Sequence, residues 1–137
     1  KLIEKYGEKS IISTGMTFFL LAIFVAYQGI HIWNFYVSLI LIGFGWNFGF
    51  IGSTSLLTKN HRPSERGKIQ GINDFLVFGF VAISSITSGW LMNCSANSSQ
   101  LGWKIINLTA TPLVIFALIS ITLLHLTDRS IINKKLK

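Results

Sequence analysis

Cysteine occurs once, at Cys94, and proline twice, at Pro63 and Pro112. A lone cysteine excludes a disulfide scaffold, and so little proline leaves room for long helices. Charge is scarce as well. Only 12% of the residues are charged, against about 25% in an ordinary soluble domain. Half of the 137 residues are hydrophobic, which excludes a disordered chain, since disorder needs low hydrophobicity.

What charge there is falls in blocks. No Asp, Glu, Lys or Arg occurs from 10 to 58, from 75 to 103, or from 105 to 127. A helix crossing the ~30 Å hydrocarbon core needs about 20 mostly apolar residues. The first block has room for two crossings and each of the others for one. The expected spans are residues 11–30, 35–57, 72–92 and 105–126 of a single domain, 1–137. The expected loops are 1–10 and 58–71, with a tail at 127–137. His31, Ile32, Trp33 and Asn34 read as the turn between the first two spans, and the polar run NCSANSSQ at 93–100 as the turn between the last two. Nothing alternates with the period of a membrane β-barrel. The fold class is all-α, a polytopic membrane protein of four transmembrane helices. The first apolar run is too long for a signal-peptide core and no small-residue cleavage site follows it. The chain begins with Lys and not Met, and it is expected to be a piece of a longer protein.

The twelve basic residues set the orientation. Eleven of them fall in the leading segment, the loop after span two and the tail, and only Lys104 falls on the other side. Basic loops stay in the cytoplasm, so both termini are expected there. The net charge of +7 is then a topology signal and not a nucleic-acid surface. The Ile-, Asn- and Lys-rich composition suggests a bacterial inner membrane.

Helices associate in lipid by close approach at small residues. Span two carries Gly43, Gly45, Gly49 and Gly52, with Gly45 and Gly49 in a GxxxG pair. Span three carries Gly79 and Gly89 among serines. On this count spans two and three are the inner helices, and spans one and four face lipid. Pro112 predicts a mild kink in span four.

Polar groups within a span need a reason. Asn47 lies mid-span beside Trp46. The pair can line a cavity, with Asn73 a further candidate, or Asn47 can glue two helices by a hydrogen bond. Asp74 is the only acid inside an expected span. It is open to a dipole-stabilised position near a helix start, a gating contact, or a proton-linked carboxylate, with a structural or gating role favoured. His31 and His125 fall at opposite membrane faces, so no metal site is expected. No cofactor motif and no catalytic constellation is found, so an enzyme is not expected. Three matches to the N-glycosylation pattern, at Asn93, Asn97 and Asn107, are short, and the last lies within a span.

Two segments resemble the major facilitator superfamily. KLIEKYGEKS at 1–10 is similar to the later part of its signature loop, with Glu4 at the Asp position, Lys5 at the first Arg, Gly7 at the Gly and Lys9 at a later basic position. HRPSERGKIQGINDF at 61–75 resembles the loop before the penultimate helix, through Arg62, Pro63, Glu65, Arg66, Gly67 and Gly71. The preceding GFGWNFGFIGSTSLLT at 43–58 resembles the helix before that loop. The resemblance implies the last four of twelve helices, with helices ten and eleven nearer the cavity and nine and twelve outside. It implies a secondary transporter that moves a small molecule by alternating access, with a proton as coupling ion. The partners implied are membrane lipid, the preceding helices of the same protein and a small-molecule substrate. Glu4, Lys5, Gly7, Arg62, Glu65, Arg66 and Asp74 become gating or latch candidates. The other readings are a self-standing four-helix exporter, which would need a glutamate buried in a span, and an inactive truncated remnant.

Overall fold

The computed structural model describes residues 2–94 and 99–135, and every element among them is helical. The elements are α1 (Leu2–Tyr6), α2 (Glu8–Tyr27), α3 (Ile32–Lys59), α4 (Arg66–Cys94) and α5 (Ser99–Lys135). The last four are long and apolar enough to cross a membrane. Helix α2 equals its expected span in length but is shifted three residues back, while α3, α4 and α5 outrun theirs, because backbone hydrogen bonding does not stop where the apolar run does. At 1.5 Å per residue the 28 residues of α3 cover about 42 Å, more than the ~30 Å core. The loop between α3 and α4 is correspondingly shorter than the expected 58–71, since α4 already starts at Arg66.

The turn between α2 and α3 lies at 28–31 and not at 31–34. Gly29 holds φ +137°, open to glycine and strained for other residues. Gln28 N–H donates to the Val25 carbonyl. His31 Nδ1 accepts from Trp33 N–H at 3.4 Å, a cap that starts α3. The far end of α3 closes with side chains from beyond it: Asn60 Nδ2 donates to the Leu56 carbonyl, and the His61 ring meets that of Leu57. Gly7, at φ +79°, separates α1 from α2. Helix α5 runs on through Pro112 as one element.

The tightest packing is between α2 and α3, and its centre is Gly15. A Cβ there would stand 2.7 Å from the Gly49 nitrogen and 2.8 Å from the Gly45 oxygen, so the two backbones are in contact. A Cβ on Gly52 would meet the Ile12 side chain at 2.7 Å. Toward the turn, Ser38 is buried and its hydroxyl donates to the Ala22 carbonyl at 3.3 Å. Phe18 fills the flank against Phe44 and Phe48. On its other side α2 meets α5, where the Trp103 indole donates to the Ala26 carbonyl at 2.9 Å. Between α4 and α5 the close approach is Gly102 on Met92.

Among the described residues α2 is thus the most enclosed helix. No residue in the apolar window of α4 is buried. Span one has few glycines, but Gly15 stands at the crossing point with α3. Position decides, because only a residue at the point of closest approach limits how near two axes come.

Candidate functional site

The face of α3 turned away from α2 carries the mid-span polar group. Gly43, Asn47, Phe50 and Thr54 recur at the spacing of one helical stripe, opposite Gly45, Gly49 and Gly52. Asn47 is exposed, and its Nδ2 donates to the Gly43 carbonyl at 2.9 Å, one turn back on its own helix. Neither expected role is occupied by that bond: Asn47 glues no second helix among the described residues, and its Oδ1 remains for another donor. The Trp46 ring stacks on Phe50 at 5.8 Å and 8°, and Phe50 meets Phe78 of α4 at 6.2 Å. The Thr54 hydroxyl oxygen is buried and has no hydrogen-bond partner. A Cβ on Gly43 would meet nothing within 4 Å, so the stripe is open at that position.

At the other expected site the described contacts are local. Glu4 and Lys5 are exposed on α1, and the Lys5 ammonium lies 5.1 Å over the Tyr6 ring. Glu65 N–H donates to the Arg62 carbonyl, and Arg66 Nε to that of His61, which folds the loop into a turn. Asp74 is half-buried and accepts from its neighbour Asn73 at 3.3 Å. That bond holds Asn73 on α4, away from Trp46 and Asn47 in hydrogen bonding. Gly79 and Gly89, like Gly43, have open space where a Cβ would be. Among the described residues no cluster could hold a metal ion.

The sequence reading missed one ion pair. Glu8 and Lys59 meet at 3.1 Å and join the start of α2 to the end of α3. They border a cleft of about 290 Å³ lined also by Tyr6, Lys9, Asn60 and His125. Lys9 Nζ donates to the Leu124 carbonyl of α5 at 3.4 Å, so three helices are tied at this end. The signal was available. Glu8 and Lys59 flank the long charge-free block, and folding that block at its middle brings its edges together.

Comparison with known proteins follows the same lines. The family profile described as Major Facilitator Superfamily matches residues 1–136. A riboflavin transporter of Brucella anthropi, RfnT, is 40% identical over 123 residues, covering 90% of this chain and 29% of that protein. An uncharacterized MFS-type transporter of Bacillus subtilis, YdeG, is 30% identical over 122 residues, 85% of this chain and 28% of its own length. A second from that organism, YddS, is 28% identical over 118 residues, 84% and 27%. The chain spans less than a third of the length of these relatives. No solved structure gives a significant match.

Proposed function

We propose, from the premise that this chain belongs to the Major Facilitator Superfamily, that it forms the last four helices of a secondary transporter working by alternating access. The family match over nearly the whole chain, on four helices able to cross a membrane, carries this reading. It points to a transporter and away from an enzyme. The coverage of the relatives supports a longer protein, in which the preceding helices pack on this part and supply the other half of the cavity. In this reading the spans sit in a bacterial inner membrane with both termini in the cytoplasm, supported by the grouping of eleven of the twelve basic residues in the leading segment, the loop after span two and the tail. The remaining partners are membrane lipid and the substrate, with no role for nucleic acid.

Two halves then rock about a site near the midplane. The cavity side of this part is α3 and α4, the pair whose outward faces carry Asn47 and the open face of α4. Riboflavin is the first substrate to test, given the relative named for it. The coupling ion is a proton. Asp74 and the signature-like residues Glu4, Lys5 and Gly7, with Arg62, Glu65 and Arg66, act as the cytoplasmic latch.

The test is uptake by the full-length protein in proteoliposomes, with and without an imposed pH gradient. Saturable uptake that rises with an inward proton gradient is expected. No uptake of riboflavin or of any of a panel of small metabolites, by protein that is folded and inserted, would overturn the reading. An immunoblot of native membranes against the C-terminal tail decides length. A band near the 15.3 kDa of this chain would mean four helices standing alone. Asp74→Lys should slow uptake severalfold or shift the balance of outward and inward states. Unchanged uptake together with unchanged cysteine accessibility would remove Asp74 from the latch.

A further inference from the structure

We propose that Trp46, Phe50 and Phe78 form a stacking shelf for a planar heteroaromatic ring without negative charge, with Asn47 as its hydrogen-bonding handle. The proposal rests on the transporter reading above and deepens it by naming the ring class and the side chains that would read it.

The shelf starts with geometry. Trp46 and Phe50 lie one turn apart on α3 and their rings are nearly parallel, at 5.8 Å and 8°. A flat aromatic ring can stack face to face or offset on such a surface. Phe78 comes from α4 and tilts by 51° against Phe50, which bounds the shelf on one side. Trp46 and Phe78 remain 40% and 55% exposed, so aromatic surface is left for a third ring. These residues fall near the middle of α3 and α4, the depth at which transporters hold substrate.

The polar atoms on this face decide against lipid as the occupant. The Trp46 indole N–H has no partner among the described residues. Asn47 spends one N–H on Gly43 and keeps its carbonyl oxygen. Acyl chains would leave all of these unsatisfied in a medium that offers them nothing. A ring with nitrogen and carbonyl groups along its edge supplies both donors and acceptors. Gly43 adds room one turn from Asn47, since the position of its missing Cβ is open.

Charge narrows the class further. On α3 no charged side chain occurs before Lys59, at the cytoplasmic end. On α4 the nearest is Asp74, one turn from Phe78. An anionic ring would meet Asp74 first, because the basic residues of these helices, Lys59, Arg66 and Lys68, lie at their ends. A ring N–H would be tolerated there.

The experiment is equilibrium dialysis of the full-length protein in nanodiscs against lumichrome, an uncharged tricyclic ring, with ribitol as a non-planar control. Uptake is followed separately. Saturable binding of lumichrome and none of ribitol is expected. Trp46→Leu and Phe50→Leu should each weaken binding about tenfold, the loss of one stacked face. Trp46→Phe should keep most of it. Trp90→Leu, at the other end of α4, should change nothing. Variants are compared at matched thermal stability, and if Trp46→Leu does not fold, Phe50→Leu and the lumichrome–ribitol preference decide. Wild-type protein that ignores lumichrome would overturn the shelf, as it would if another helix of the same protein were seated there. So would leucine variants that bind as wild type. Uptake persisting in either case would leave the transporter reading standing. Binding without any uptake would do the reverse.

Discussion

Helices α3 and α4 have nearly the same length, 28 and 29 residues, and both carry several glycines and aromatic residues in a long apolar run. Yet α3 is seamed to α2 backbone against backbone, while α4 has no buried residue in its apolar window. The difference lies in register. Gly45, Gly49 and Gly52 recur on one face, and α2 presents Gly15 to them. The glycines of α4 meet open space. In lipid an apolar surface gains little by meeting another, so composition alone draws no two helices together. Matched small residues let two backbones close in, and without that match a helix stays available to other surfaces.

The comparison breaks most readily at Gly15. Gly15→Ala puts a methyl group 2.7–2.8 Å from backbone atoms of α3, which cannot move aside as a side chain can. Destabilisation of about 1–3 kcal/mol is expected from overpacking, read as a lowered melting temperature of the purified full-length protein. Gly43→Ala, with free space, should leave that temperature unchanged, and an equal drop for both would show that the seam is not the special feature.

Gly7 comes next. Its φ of +79° with ψ of 155° is a region occupied essentially by glycine. Gly7→Ala should cost about 1–3 kcal/mol where that backbone shape is held, although no neighbour obstructs the methyl group. The cost falls on the angle between α1 and α2 and not on the seam. Faster proteolysis near residue 7, with thermal stability of the spans close to wild type, is the expected outcome. Wild-type cleavage kinetics would mean that α1 reorients freely.

The smallest effect should come from the ion pair at the open end of the hairpin. Lys59 is 69% exposed and Glu8 15%. Exposed pairs contribute about 0–1 kcal/mol and are screened by salt. Glu8→Gln should therefore lower stability slightly at low ionic strength and not at all in high salt. Glu8→Lys combined with Lys59→Glu should restore most of it. A large, salt-independent loss in Glu8→Gln would instead give the pair a weight in the hairpin comparable to the Gly15 contact.

How much was legible in advance differs between these features. The charge-free blocks announced the spans, because a span depends on what each residue costs in hydrocarbon. The resemblance in 1–10 and 61–75 pointed to the family that the match over 1–136 identifies. The turn at 28–31 was misjudged, since Ile30 read as the end of span one and Ile32 as turn, whereas the helix already breaks at Gly29 and the His31 cap starts α3 at Ile32. At the candidate site Trp46 and Asn47 were visible as oddities. Phe50 and Phe78 were not, since a phenylalanine in an apolar run gives no sign of what it will face.

By itself, then, the sequence determined that this chain is helical and spans the membrane, because burial costs are properties of single residues and short runs. Only the tertiary structure decided that Gly15 meets Gly45 and Gly49, that Glu8 finds Lys59, and that rings from α3 and α4 stand together. Those outcomes depend on how far each helix is rotated about its axis and how deep it sits against its neighbour. Both are set by the joint fit of two surfaces, which no single segment of the chain contains.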